Sequence, residues 1–169
     1  MRLINRLIFI VVSLTLLPIT AIAQSLPCVE PEYRQFDFWL GNWQVTQPDG
    51  SVAGTNAIQA SYNGCVMTEH YQVNGAPYGE SLNAYDRATQ RWYQTWMDKN
   101  GTVLLLSGGM KGDSMVLSGQ SKDASGGDVT HQISWQPQAN GTVIQHWQFK
   151  QADGDWTTLF KGIYTKLTP

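Results

Sequence analysis

The chain has 169 residues, of which 42% are hydrophobic and 14% charged, and its formal net charge is −2. A chain of this size fits one domain with a sizeable core. It carries no basic run and no basic-aromatic patch, which argues against nucleic acid and anionic membrane surfaces as partners.

Residues 1–23 read as a secretory signal peptide. Arg2 and Arg6 supply the charged start, an apolar run follows from Leu3 to Leu17, and Ala21-Ile22-Ala23 forms an A-x-A cleavage site. The apolar core is short for a bilayer span and Ser13, Thr15 and Pro18 interrupt it, so a membrane anchor is the weaker reading. Pro27 directly before Cys28 also argues against lipidation of that cysteine. The mature chain is then expected to start at Gln24, in the periplasm or outside the cell. Loss of Arg2 and Arg6 takes eleven basic residues to nine against thirteen acidic ones, a net charge of about −4. Cys28 and Cys65 are the only cysteines, and in an exported chain such a pair predicts one disulfide, here joining the segment 24–30 to the sheet.

Residues 31–40 predict a short aromatic helix. Pro31 suits a first helical position, Tyr33, Phe36 and Leu40 share a face with Trp39, and Gly41 can close the helix with a positive φ. From Trp43 onward the pattern changes to period-two alternation. Pro48-Asp49-Gly50, Asn63-Gly64, Asn74-Gly75, Asn100-Gly101, Gly108-Gly109, Gly126-Gly127, Asn140-Gly141 and Asp153-Gly154 punctuate it with residues suited to tight turns. The segments between them predict ten strands, at 42–47, 53–62, 65–73, 79–86, 90–98, 102–107, 113–119, 128–136, 142–149 and 156–166. No connection is long enough for a crossover helix, so the strands must form an antiparallel meander. Closure into an up-and-down barrel removes its two edges, and the helix would cap one mouth. Residues 31–169 are therefore read as a single all-β barrel domain.

Several motifs also carry a resemblance: Phe36-Asp37-Phe38-Trp39-x-Gly41-x-Trp43, Gly64-Cys65 followed by Glu69, Ser81-Leu82-Asn83-x-Tyr85-Asp86, and Trp92-x-Gln94-x-Trp96-x-Asp98. Together they resemble a family of exported bacterial proteins known as a domain of unknown function with a lipocalin-like, calycin-type barrel. The resemblance spans nearly all of the mature chain. It implies a β-barrel and export, and it brings no reaction with it. Gly41-Asn42-Trp43 separately resembles the lipocalin G-x-W, whose tryptophan packs across the barrel floor. In size and strand number the chain is similar to nitrobindin-type haem barrels, an analogy of fold only.

Alternation also phases each strand. The inward sets are Met67, Glu69 and Tyr71; Ser81, Asn83 and Tyr85; Trp92, Gln94, Trp96 and Asp98; Val129, His131, Ile133 and Trp135; Val143, Gln145, Trp147 and Phe149; and Trp156, Thr158, Phe160 and Tyr164. His70 and His146 fall on the outward parity. The interior is then aromatic wall with a few polar groups, a mixture suited to a cavity more than to a solid core. A carboxylate there costs several kcal/mol if unpaired, so Glu69 has to be protonated, wet, or hydrogen-bonded to Gln94, Gln145 or Tyr71.

These residues predict a binding protein for a small apolar or aromatic molecule, with Glu69, Tyr71, Ser81, Asn83, Tyr85, Gln94, Trp96, His131, Gln145 and Trp147 as the ligand-binding set. An enzyme of the same fold, using Glu69 with His131 for acid–base work, is the rival reading. Haem or metal binding through His131 ranks below both. The chain contains no H-x-H, H-E-x-x-H, C-x-x-C, G-x-S-x-G or nucleotide glycine pattern, so no cofactor is expected.

Overall fold

A computed structural model describes residues 27–168. The expected signal peptide and its cleavage site lie outside the described residues. Two short 3-10 turns, Pro31–Arg34 and Asp37–Trp39, precede ten strands: β1 Gly41–Thr46, β2 Val52–Ser61, β3 Val66–Val73, β4 Ala76–Asp86, β5 Arg91–Asp98, β6 Val103–Lys111, β7 Ser114–Lys122, β8 Asp128–Pro137, β9 Val143–Gln151 and β10 Thr157–Lys166. All sequential neighbours pair antiparallel, and β1 also pairs with β10, closing the barrel. No strand is left as a free edge of the sheet.

The short helix expected before β1 is present and takes the 3-10 form. Its backbone bonds span three residues: Tyr33 N–H to Glu30 O at 3.0 Å, Trp39 N–H to Phe36 O at 3.1 Å and Leu40 N–H to Asp37 O at 3.0 Å. An offset of three between Phe36 and Trp39 fits a 3-10 turn as well as an α-helix, and in the tighter turn such residues eclipse. Their rings accordingly stack, 5.0 Å apart and 16° from parallel.

That stack fills one end of the barrel. Phe36 meets Trp92 and Trp135 edge-on at 5.6 and 5.2 Å, and Trp39 lies 5.2 Å from Trp135. Trp43 donates its indole N–H to the Trp39 carbonyl at 2.8 Å and packs edge-on against Tyr164. Phe36, Trp39, Trp43, Trp92 and Trp135 are all buried, and each such burial stabilises by roughly 1.5–3 kcal/mol. The Cys28–Cys65 disulfide ties the segment before the turns to the β2–β3 connection, with Cα atoms 5.1 Å apart. Arg34 adds a hydrogen bond from Nη2 to the Gly64 carbonyl. One mouth is thereby sealed.

The inward parity holds in most strands and fails at the start of β10. Thr158 pairs with Gln148 but Phe160 pairs with Trp147, so Leu159 is an extra residue that shifts the phase. Thr158 consequently faces out, bonded to His146 at 2.8 Å, and Trp156 lies on the outer wall beneath Lys150. Phe160 and Tyr164, beyond the bulge, keep their inward orientation.

Candidate functional site

Above the aromatic plug the barrel is hollow. The cavity measures about 1200 Å³ and opens at the end formed by the β1–β2, β5–β6 and β9–β10 connections. Its space depends on where the large side chains lie. A Cβ on Gly79 would sit 2.4 Å from Trp96 Cζ2, and one on Gly54 would sit 2.9 Å from Tyr71 Oη. The indole and the phenol therefore lie flat against bare backbone and leave the axis of the barrel open. With Trp147, Phe160, Ile133 and Leu104 they form an apolar belt around the cavity.

The floor is polar and centred on Glu69, which is 3% exposed. Asn56 Nδ2 donates to its Oε1 at 2.7 Å, and Ser81 Oγ donates to its Oε2 at 2.6 Å. Behind Ser81, Asn83 Nδ2 donates to Ser81 Oγ at 2.9 Å, and Gln94 Nε2 donates to Asn83 Oδ1 at 2.9 Å. Tyr164 donates to Gln145 Oε1 at 2.5 Å on the opposite side. The partners of Glu69 are thus Asn56 and Ser81, not the Gln94, Gln145 or Tyr71 expected from the sequence. Burial pushes the Glu69 carboxyl above its ordinary value, against the opposing pull of the Ser81 and Asn56 hydrogen bonds. Burial likewise pushes the Tyr71 phenol up to about 12. Asn56 Oδ1 is buried with no partner. Turning that amide over would set Oδ1 against Glu69 Oε1, where a protonated carboxyl can donate to it.

His131 sits on the cavity wall with both ring nitrogens engaged. Trp147 Nε1 donates to its Nδ1 at 3.1 Å, which makes Nδ1 the acceptor and puts the proton on Nε2, 2.9 Å from Ser121 Oγ. Partial burial lowers its pKa and reinforces the neutral form. In this arrangement neither nitrogen has a lone pair to offer a metal or haem. The described residues contain no group of three or more His, Cys, Asp or Glu side chains suited to hold a metal ion.

Seven of the ten expected site residues line the cavity: Glu69, Tyr71, Gln94, Trp96, His131, Gln145 and Trp147. Ser81 and Asn83 are buried behind Glu69 as its hydrogen-bonded support. Tyr85 lies at the sealed end, edge-on to Tyr33 at 5.2 Å. Asn56 is a site residue that the phasing did not reach. The signal was available, because Gly54, Asn56 and Ile58 share a parity opposite to Thr55, Ala57 and Gln59. No family model matches this chain, and no curated protein matches it in sequence.

Proposed function

We propose that this chain is an exported binding protein that holds one small apolar or aromatic molecule inside the barrel. The observation that carries the reading is the cavity of about 1200 Å³, with an aromatic belt above a hydrogen-bonded polar floor. Ligand pockets are typically roughly 300–1,000 Å³, apolar on most sides with a few placed polar groups. Export is supported by the Cys28–Cys65 bridge, since disulfides persist in oxidising compartments. No helix among the described residues is long and apolar enough to cross a membrane. Membership of the exported, lipocalin-like family belongs to the same proposal.

The test is titration with a neutral apolar fluorophore, N-phenyl-1-naphthylamine. Saturable quenching of tryptophan emission is expected, and Gln94→Leu should shift the affinity by the worth of about one hydrogen bond, roughly two- to tenfold, in a chain that still folds. Trp96→Phe should shift it by altering the belt. Linear, unsaturable quenching would refute the reading.

The raised pKa of Glu69 favours one second reading, acid–base catalysis on a small hydrophobic substrate. Glu69→Gln separates the two. Binding survives the change in a binding protein, whereas proton-transfer catalysis would fall by about 10²–10⁴.

A further inference from the structure

The β6–β7 hairpin is zipped for only part of its length. Its ladder runs from Lys111–Ser114 at the turn to Ser107–Ser118, yet the strands continue to Val103 and Lys122. The neighbouring hairpins differ: β8–β9, for example, pairs from Pro137–Val143 through Val129–Gln151. The ladder stops just short of Gly119, whose missing Cβ would lie 2.1 Å from the Leu105 carbonyl. Above that contact the cavity is lined by side chains of both parities. Inward Leu104 and Ser121 border it, and so do outward Val103, Leu105, Gln120 and Lys122. Beyond Ser107–Ser118 no ladder joins these two strands. The mouth therefore continues down the side of the barrel as a notch.

The two lips of the notch differ chemically. The β6 lip is apolar and exposed, with Val103 at 54% and Leu105 at 64%, and across the β5–β6 ladder Met97 extends it over the outer wall. The β7 lip is polar, and its Lys122 is paired with Asp128 at 2.7 Å. Inside, the floor offers groups of both hydrogen-bonding kinds. Gln145 uses its Oε1 and Gln94 its Nε2 within the protein, so Gln145 Nε2 remains as a donor and Gln94 Oε1 as an acceptor. Among the described residues Lys122, at the rim, is the one lysine or arginine bordering the cavity, and His131 is held neutral. Nothing near the floor compensates an anion, and both Glu69 oxygens are already bonded by Asn56 and Ser81, so no unpartnered carboxylate faces an ammonium there.

Resting on the binding reading above, we infer that the ligand is an elongated neutral amphiphile. An uncharged head that both donates and accepts hydrogen bonds sits at Glu69, Gln94 and Gln145. The chain passes through the aromatic belt and leaves by the notch between β6 and β7.

The experiment is competition against bound N-phenyl-1-naphthylamine by 1-dodecanol, dodecanoate and dodecylamine at neutral pH. The alcohol is expected to compete at least about tenfold better than either charged analogue. A carboxylate or amine that competes equally well or better overturns the neutral head. The notch is tested separately by Val103→Cys, whose thiol is the one free thiol among the described residues because Cys28 and Cys65 are bridged. A bulky maleimide there should weaken dodecanol at least about tenfold and leave hexanol unchanged, since only the longer chain reaches the lip. The same label on Leu82→Cys, on the outer wall of β4, should affect neither. Gln120→Cys on the opposite lip repeats the test should Val103→Cys fail to fold. Unchanged dodecanol binding in the labelled lip variants overturns the exit route. Failure of the unmodified protein to bind the fluorophore removes the binding reading itself, and this inference with it.

Discussion

A carboxyl group as buried as Glu69 loses its water, and hydrogen bonds from Asn56 and Ser81 return only part of that loss. The raised pKa fixes the sign of the resulting pH dependence. The folded state holds the Glu69 proton more tightly than the unfolded chain, so stability is full below the ordinary carboxylate pKa of 4.5 and falls as pH climbs through the raised value. His131 acts with the opposite slope. Its lowered pKa leaves stability intact above 6.5 and removes it as pH falls below that. Glu69→Gln reproduces the protonated group, with an oxygen for Ser81 and an amide for the unpaired Asn56 Oδ1. Urea unfolding across pH should therefore show the variant gaining on the native chain as pH rises. Parallel curves would contradict the desolvation account. In the sequence, alternation was enough to point Glu69 inward, because neighbouring Met67 and Tyr71 share its parity. Its partners were not legible, since Asn56 lies thirteen residues away on another strand and register is set by pairing.

At the level of elements, ten strands were readable because a turn signal ends nearly every one. Gly108-Gly109, read as a turn, instead runs inside β6, whose turn falls at Gly112. Two other details have local causes. Phe36 and Trp39 satisfy two helical periods at once, and packing against Trp92 and Trp135 selects the tighter one. The bulge at Leu159 inverts Trp156 and Thr158, and one extra residue in a strand leaves no mark on composition. The aromatic turns take the place of a wall at the sealed end, and this makes them expensive to alter. Phe36→Ala should cost about 3–5 kcal/mol, measured by denaturant unfolding, because the four rings around Phe36 cannot collapse into the space. Loss of the disulfide in a Cys28→Ser, Cys65→Ser variant should cost less, about 2–4 kcal/mol, by freeing the segment before the turns in the unfolded chain. Binding of the fluorophore should survive that second change, since neither cysteine borders the cavity. Binding lost together with the disulfide would mean that the plug also shapes the cavity.

Over the whole molecule these features produce a gradient along the barrel axis. The sealed end holds Phe36, Trp39, Trp43, Trp92 and Trp135 in mutual contact, the middle level holds the Glu69 network, and the open end holds the cavity and the notch. Side-chain contact gives way to open space in that order, and local stability should fall with it. Native-state hydrogen exchange reads this directly. Amides within the zipped part of the β6–β7 hairpin, Ser107–Lys111 with Ser114–Ser118, should exchange slowly. Those of Val103–Leu106 and Gly119–Lys122 that face across the notch have no ladder partner there and should exchange far faster, although β5 and β8 still hold the outer sides of these strands. Each amide unpaired in this way lacks the closed state that protection requires, so the contrast within one hairpin should be larger than that between the two ends of β8–β9, which is paired throughout. Uniform protection along β6 and β7 would show the hairpin zipped in solution and the wall continuous. Graded protection that rises across the notch when dodecanol is added would show a chain lying between the two strands.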